Sequence, residues 1–235
     1  VKSNRQTKSY IDLSIEDKKK YHILKGHMAF GHHKSFPEPN KVSYFTMLRH
    51  PVKLIISNYY FILKQENHRL HKTLVEGNYT LKKYVESGII ANTENAQVRL
   101  LSDNIDAPHG GCTKEMLLIA KQNITDRFSV AGINELFDES LLLLQQHYNW
   151  KTPYYTRKNV TGHGVSVKDL DKETIQTIEK FNALDIELYD WAKTRLQKQI
   201  EERGDSFQQE LNAFKKKNKL VQKVANVKNK LFHNQ

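Results

Sequence analysis

The chain has 235 residues, of which 38% are hydrophobic and 10% aromatic. That is enough apolar mass for one large folded domain or a domain with an extension, and too much for a disordered chain. The formal charge of +11, from 37 Lys and Arg against 26 Asp and Glu, favours polyanionic partners such as nucleotides, nucleic acid, acidic glycans or membrane surfaces. The single cysteine, Cys112, excludes an intramolecular disulfide, so nothing requires an oxidising compartment.

No stretch approaches the roughly 18 consecutive apolar residues of a transmembrane helix, and no secretory signal pattern is visible. The first residue is Val1 rather than Met, so an upstream segment is expected. Asn78, Asn123 and Asn159 each begin an N-x-S/T triplet, a pattern common enough by chance to leave the compartment open. Cys112 follows His109-Gly110-Gly111 and reads as a loop thiol. Lys215, Lys216, Lys217, Lys219, Lys223, Lys228 and Lys230 form a basic C-terminal run that reads as a solvated helix face.

In chain order, Ser14-Ile15-Glu16-Asp17 predicts a short polar helix with Ser14 as its N-cap. Tyr21 to Lys25 reads as a short strand, and Gly31 to Asn40, with Pro37 and Pro39, as a loop. Val42 to Leu48 is nearly continuously apolar and aromatic, as a strand buried on both faces would be. Arg49-His50-Pro51 ends it, with Pro51 suited to the first position of a helix. Val52, Ile55, Ile56, Tyr59, Tyr60 and Leu63 then recur with helical period.

Further helices are predicted near 80–87, 93–101 and 113–124. A strand is predicted at Phe128–Ile133 and a helix from Asn134 to His147. Trp150 to Gly164 reads as a loop region. A long helix runs from Asp171 to about Glu202 and is interrupted at Gly204, and a basic helix follows to Gln235. Strand–helix alternation predicts an α/β fold with a mainly parallel central sheet flanked by helices. The boundaries expected are a domain over 1–203 and a basic helical C-terminal extension over 204–235.

Ligands of such sheets bind beyond the carboxyl ends of the strands. Arg49 stands there, and Ser57 follows eight residues later, off the apolar stripe. A guanidinium, a hydroxyl and helix N-terminal N–H groups can converge on one phosphate. Equally, Arg49 could cap local carbonyls and Ser57 could be a surface serine.

Ser43 to Phe61, with Arg49, Ser57, Tyr59 and Tyr60 at matching places, resembles the 3′-phosphate-binding segment of sulfotransferases. The pattern there is a strand, Arg-Asp-Pro, and a helix with a serine eight residues after the arginine. His50 replaces the usual Asp. Tyr21 to His33 resembles the strand–Gly-His segment of the glycan branch, including uronyl and heparan 2-O-sulfotransferases and related bacterial proteins. By that resemblance His27 is the general base, and Lys25 takes the place of a first histidine in the relatives that read His-Gly-His. Imidazole titrates near neutral pH, which suits removal of a hydroxyl proton. The alternative is a structural or surface histidine. His32 and His33 are substrate-binding candidates. The histidines at 22, 27, 32 and 33 lack HExxH and partner cysteines, so no metal site is expected.

Glu94 to Ser102 resembles an Asn-x-Gln-x-Arg helix of bacterial members, which makes Arg99 a substrate-binding candidate or an ordinary helix-surface arginine. Phe128 to Ile133 with Phe137 to Leu141 resembles a late structural strand and helix. Tyr155 to Thr161 resembles the loop that closes over the nucleotide, where Arg157 and Lys158 could reach the 3′-phosphate or form a solvated basic loop.

The resemblance covers Tyr21 to about Glu202 and implies a P-loop-like sulfotransferase fold. The implied co-substrate is 3′-phosphoadenosine 5′-phosphosulfate, with no metal. The implied acceptor is a hydroxyl-bearing glycan or small molecule, without nucleic acid. The family's Pro-Lys-x-Gly-(Ser/Thr)-type phosphosulfate loop is not found and is expected upstream of Val1, so this chain alone is expected to lack full activity. A bacterial cytoplasmic setting is expected, or a Golgi lumen if an N-terminal anchor precedes. Two other classes remain open from sequence: a P-loop-like nucleotide kinase, whose GxxxxGK(S/T) is absent, and a non-enzymatic basic polyanion-binding module.

Overall fold

In a computed structural model of the chain, residues 10–156 and 166–232 are described, 226–232 by backbone alone. The chain forms two compact units. The first comprises Val1–Tyr44, Pro51–Phe128 and Lys172–Leu188; the second comprises Phe45–His50, Ser129–Asp171 and Tyr189–Gln235.

Helices dominate. After the short helix α1 (Ile15–Lys18) come strand β1 (Tyr44–Leu48) and helices α2 (Pro51–Lys64), α3 (His71–Glu76), α4 (Leu81–Glu86), α5 (Ala96–Leu101) and α6 (Lys114–Arg127). Strand β2 (Phe128–Ile133) and helices α7 (Phe137–Tyr148), α8 (Lys172–Phe181), α9 (Ala183–Glu201) and α10 (Gly204–Phe232) complete the order. β1 and β2 pair as a small parallel sheet. The sheet is smaller than expected because Tyr21–Lys25 is irregular. Tyr21, His22, Ile23 and Lys25 are exposed, so the segment lacks the two-sided burial that favours a parallel strand.

Helix positions follow the predicted periods, with two differences. His71–Glu76 is helical although it was not predicted. The long helix expected from Asp171 breaks at Asn182, between α8 and α9. The break has a visible cause in the first unit. Asn182 accepts from the backbone N–H of Asn95 at 3.0 Å and donates to Thr93 O at 3.1 Å. Asn95 Oδ1 in turn accepts from the N–H of Asp185, in the first turn of α9, at 2.9 Å. The Asp185 carboxylate accepts from Gln97 N at 3.0 Å and Val98 N at 2.7 Å, in the first turn of α5. Each helix start is therefore capped by a side chain from the other, which satisfies donors that a buried helix end would leave unpaired. Asn95 has φ of 46°, a left-handed conformation that Asn tolerates better than most residues.

In the second unit, Ser140 joins β2 to α7. Its Oγ accepts from Ile133 N at 3.0 Å and donates to Leu136 O at 2.7 Å. Gly132 is required opposite: a Cβ there would lie 2.8 Å from Ser140 Cβ and strike the Met47 sulfur. Phe207, Leu211 and Phe214 of α10 are buried, and Lys215 of that helix pairs with Glu139 of α7 at 2.7 Å.

Asp185 is fully buried, and desolvation pushes its carboxyl up to about 6 from 3.8, against the pull of the Gln97 and Val98 N–H groups. With the folded pKa above the unfolded one, the folded protein holds a proton that the unfolded chain releases. The contribution is full below pH about 4 and is lost as pH rises through about 6. Asp185→Asn should remove roughly 2–3 kcal/mol of pH-dependent stability change across that window. Urea unfolding of both proteins from pH 4 to 7 tests this, and identical slopes would refute it.

Candidate active site

β1 ends at Leu48 and α2 begins at Pro51, so Arg49 and His50 form a two-residue joint between strand end and helix start. α2 buries Val52, Ile55, Ile56, Tyr59 and Ile62. Ser57 lies off that stripe and is half-buried. Arg49 belongs to the second unit and Ser57 to the first. Within the second unit, the His50 ring meets Tyr189 edge-on at 5.3 Å, and the Tyr189 hydroxyl donates to Glu135 Oε2 at 3.0 Å. Burial, with the Glu135 bond behind it, holds the Tyr189 phenol above its ordinary pKa.

The Gly-His segment lies in the first unit. Lys25, Gly26 and His27 are exposed and irregular, and His32 is half-buried at the start of a single 3-10 turn. The downstream side of this segment is fixed at three points. Phe30 N–H donates to Leu100 O at 2.7 Å. Gly31 has φ of 105°, and a Cβ there would sit 2.7 Å from the Asp103 carboxylate. His33 N–H donates to Tyr44 Oη at 2.7 Å, with His33 Nδ1 2.8 Å from the same oxygen. A phenol oxygen that accepts the backbone N–H keeps its own hydrogen for Nδ1, which suits the imidazole tautomer protonated on Nε2. Desolvation, and then the nearby Arg127 and Lys34, hold His33 below the usual histidine pKa. Phe30, Tyr44 and Phe128 stack around it, with centroid distances of 5.0 to 6.1 Å.

Two expected acceptor residues therefore have structural tasks. His33 is buried and turned to Tyr44. Arg99 is 0% exposed. Its guanidinium binds Glu94, both at the backbone oxygen and through a buried ion pair, and also the carbonyls of Ala107 and Pro108. Glu94 also accepts from Gly110 N at 3.1 Å. Together Glu94 and Arg99 hold the 107–110 loop against α5. Cys112 lies in the same surroundings; burial, then the Glu94 charge, pushes its thiol up to about 12, which keeps it protonated and poorly nucleophilic. Arg157 and Lys158 lie outside the described residues. Among the described residues, no group of three or more His, Cys, Asp or Glu is arranged to hold a metal ion.

Tyr44, Glu94, Asn182 and Asp185 escaped the sequence reading. Asn182 with Asp185 three residues on has the spacing of a helix-start motif, and that signal was available inside the long helix. Nothing local marks Tyr44, whose partner is eleven residues away.

The model of the galactose-3-O-sulfotransferase family matches residues 4–234. The chain belongs to that family. It is also similar to human heparan-sulfate 6-O-sulfotransferase 1, with 26% identity over 192 residues, 69% of this chain and 45% of that protein. The chicken form of the same enzyme gives 26% over 196 residues, 70% of this chain and 47% of that protein. Chicken heparan-sulfate 6-O-sulfotransferase 2 gives 35% over a shorter 109 residues, 42% of this chain and 26% of that protein. The chain spans less than half the length of these relatives. A glycan sulfotransferase family was the reading of the sequence. The matched names carry 3-O and 6-O positions, whereas the motif resemblance pointed to the 2-O branch.

In this sulfotransferase-family chain, Tyr44→Phe removes the acceptor of the buried His33 N–H. It should cost about 1–3 kcal/mol, read by urea unfolding at pH 7. A change below a few tenths of a kcal/mol would show that the Tyr44–His33 contact does not hold the segment.

Proposed function

We propose that this protein transfers the sulfuryl group of 3′-phosphoadenosine 5′-phosphosulfate to a hydroxyl of a carbohydrate. The observation that carries the reading is the family match across residues 4–234. The joint of β1, Arg49 and α2 supports it, because a strand end followed by a guanidinium and a helix start suits a phosphate. The small parallel sheet is read as part of a fuller P-loop-like sheet.

In the proposed reaction the acceptor oxygen forms a bond to sulfur as the bond from sulfur to the bridging phosphate oxygen breaks. Adenosine 3′,5′-bisphosphate leaves with the electron pair, and His27 takes the hydroxyl proton. Arg49 and Ser57 hold the 3′-phosphate, which is a positioning contribution. Lys25 and His32, flanking His27 in the sequence, face the acceptor. The heparan sulfate named for the relatives makes a sugar hydroxyl the first acceptor class to try.

Arg49→Ala should weaken adenosine 3′,5′-bisphosphate by roughly tenfold or more while barely changing 5′-AMP, since one charge-assisted contact is worth about 1.5–3 kcal/mol. Calorimetry with both ligands decides it, and equal losses would remove Arg49 from the 3′-phosphate. His27→Ala in the full-length enzyme should lower turnover at saturating donor by about 10²–10⁴ with nucleotide affinity kept. Near-normal turnover in that variant, with loss in His32→Ala, would move the base to His32.

A further inference from the structure

The helix α10 carries two apolar stripes with different surroundings. Phe207, Leu211, Phe214 and Asn218 are buried. They recur every three or four residues and form the face that packs within the second unit. Leu220 and Val224 form a second stripe, with exposures of 59% and 57%. At 3.6 residues per turn the two stripes lie roughly 130° apart around the helix. The same spacing places Lys217 on one flank of the second stripe and Lys216 and Lys223 on the other, and all three are exposed. In the sequence, Val227 and Leu231 continue the apolar spacing, and Lys228 and Lys230 continue the basic one.

Exposed Leu and Val one turn apart on a lysine-rich face present apolar surface that a bare polyanion site does not need. A second copy of the chain is disfavoured, because symmetric pairing of this stripe would set lysine rows against each other. An apolar stripe between two rows of lysines, whose long stems reach sideways past buried carbon, fits the boundary of a lipid layer with negative headgroups. No described helix is long and apolar enough to cross a membrane, so the contact is one of lying on the surface.

We propose that the exposed face of α10, built on Leu220, Val224, Lys216, Lys217 and Lys223, docks the protein on an anionic lipid surface. The site is distinct from the groups assigned to sulfate transfer, and its test does not read sulfate transfer.

The 235-residue chain is sedimented with vesicles of phosphatidylcholine containing about a third phosphatidylserine, and with pure phosphatidylcholine vesicles. Binding is expected to the first only. Lys216→Gln with Lys223→Gln should lower the partition coefficient by more than tenfold, because each basic residue near such a surface contributes about a factor of five. Leu220→Gln with Val224→Gln should lower it several-fold at unchanged charge, and circular dichroism and urea unfolding verify that both variants fold as the parent does. The proposal is overturned if the parent fails to bind the charged vesicles or binds neutral ones equally. It is also overturned if the apolar variant binds like the parent. In that last case, competition by soluble heparin would assign the lysines to an acidic glycan instead.

Discussion

The first unit depends on one buried exchange of caps. A helix start brought into the core carries N–H groups that neither water nor its own helix can satisfy. α5 and α9 meet this by lending side chains to each other: Asp185 serves Gln97 and Val98, and Asn95 serves Asp185. The exchange fixes the register of two segments about ninety residues apart in sequence. It also explains why α8 and α9 are separate helices, since Asn182 must turn its amide to Thr93 and Asn95. The Glu94–Arg99 pair adjoins it and extends the order to the 107–110 loop. Loss of one member of such a buried pair typically costs about 3–5 kcal/mol, since the other charge remains in the core.

Much of the architecture was legible because period and punctuation agreed. α2 came from its apolar spacing and Pro51, β2 from six compact residues, and α10 from the break at Gly204. Tyr21–Lys25 was misread because aromatic and β-branched residues there suggest a strand, while strand formation depends on partners that composition does not encode. The long helix from Asp171 was read as continuous because Asn182 disturbs helical propensity only slightly. Its role appears only when the distant acceptors and donors are in place.

The candidate site was legible in a similarly uneven way. Arg49 and Ser57 sit where the sequence put them, at a strand end and on the following helix, since both positions follow from local periodicity. Arg99 and His33 were read as substrate-binding candidates from the motif resemblance, with an ordinary helix-surface arginine as the equal alternative for Arg99. In the structure each meets an internal partner, Glu94 and Tyr44. A buried Arg satisfied by a carboxylate and several carbonyls is as strongly specified as a ligand-binding one, and sequence alone does not separate the two.

This division bears on how related sulfotransferases can carry names with different acceptor positions. The proposed donor groups, Arg49 and Ser57, stand in the joint directly after β1 and inside α2, and so are tied to regular elements. The proposed acceptor groups, Lys25, His27 and His32, stand on an irregular segment or at its exit. Downstream of His27 that segment is held by the Phe30–Leu100 and His33–Tyr44 contacts, and at its upstream end Tyr21 N–H donates to Lys18 O at 3.1 Å and the Tyr21 ring meets Tyr10 edge-on at 5.4 Å. Between those anchors Lys25, Gly26 and His27 are exposed, whereas a change at the strand–helix joint would alter β1 or α2 themselves. On that proposal, donor binding rests on and beside regular elements and acceptor choice on loop geometry. On the proposed reading, a base on an irregular segment can meet differently placed sugar hydroxyls, such as the 3-O and 6-O positions in the matched names, while the proposed phosphate contacts stay put.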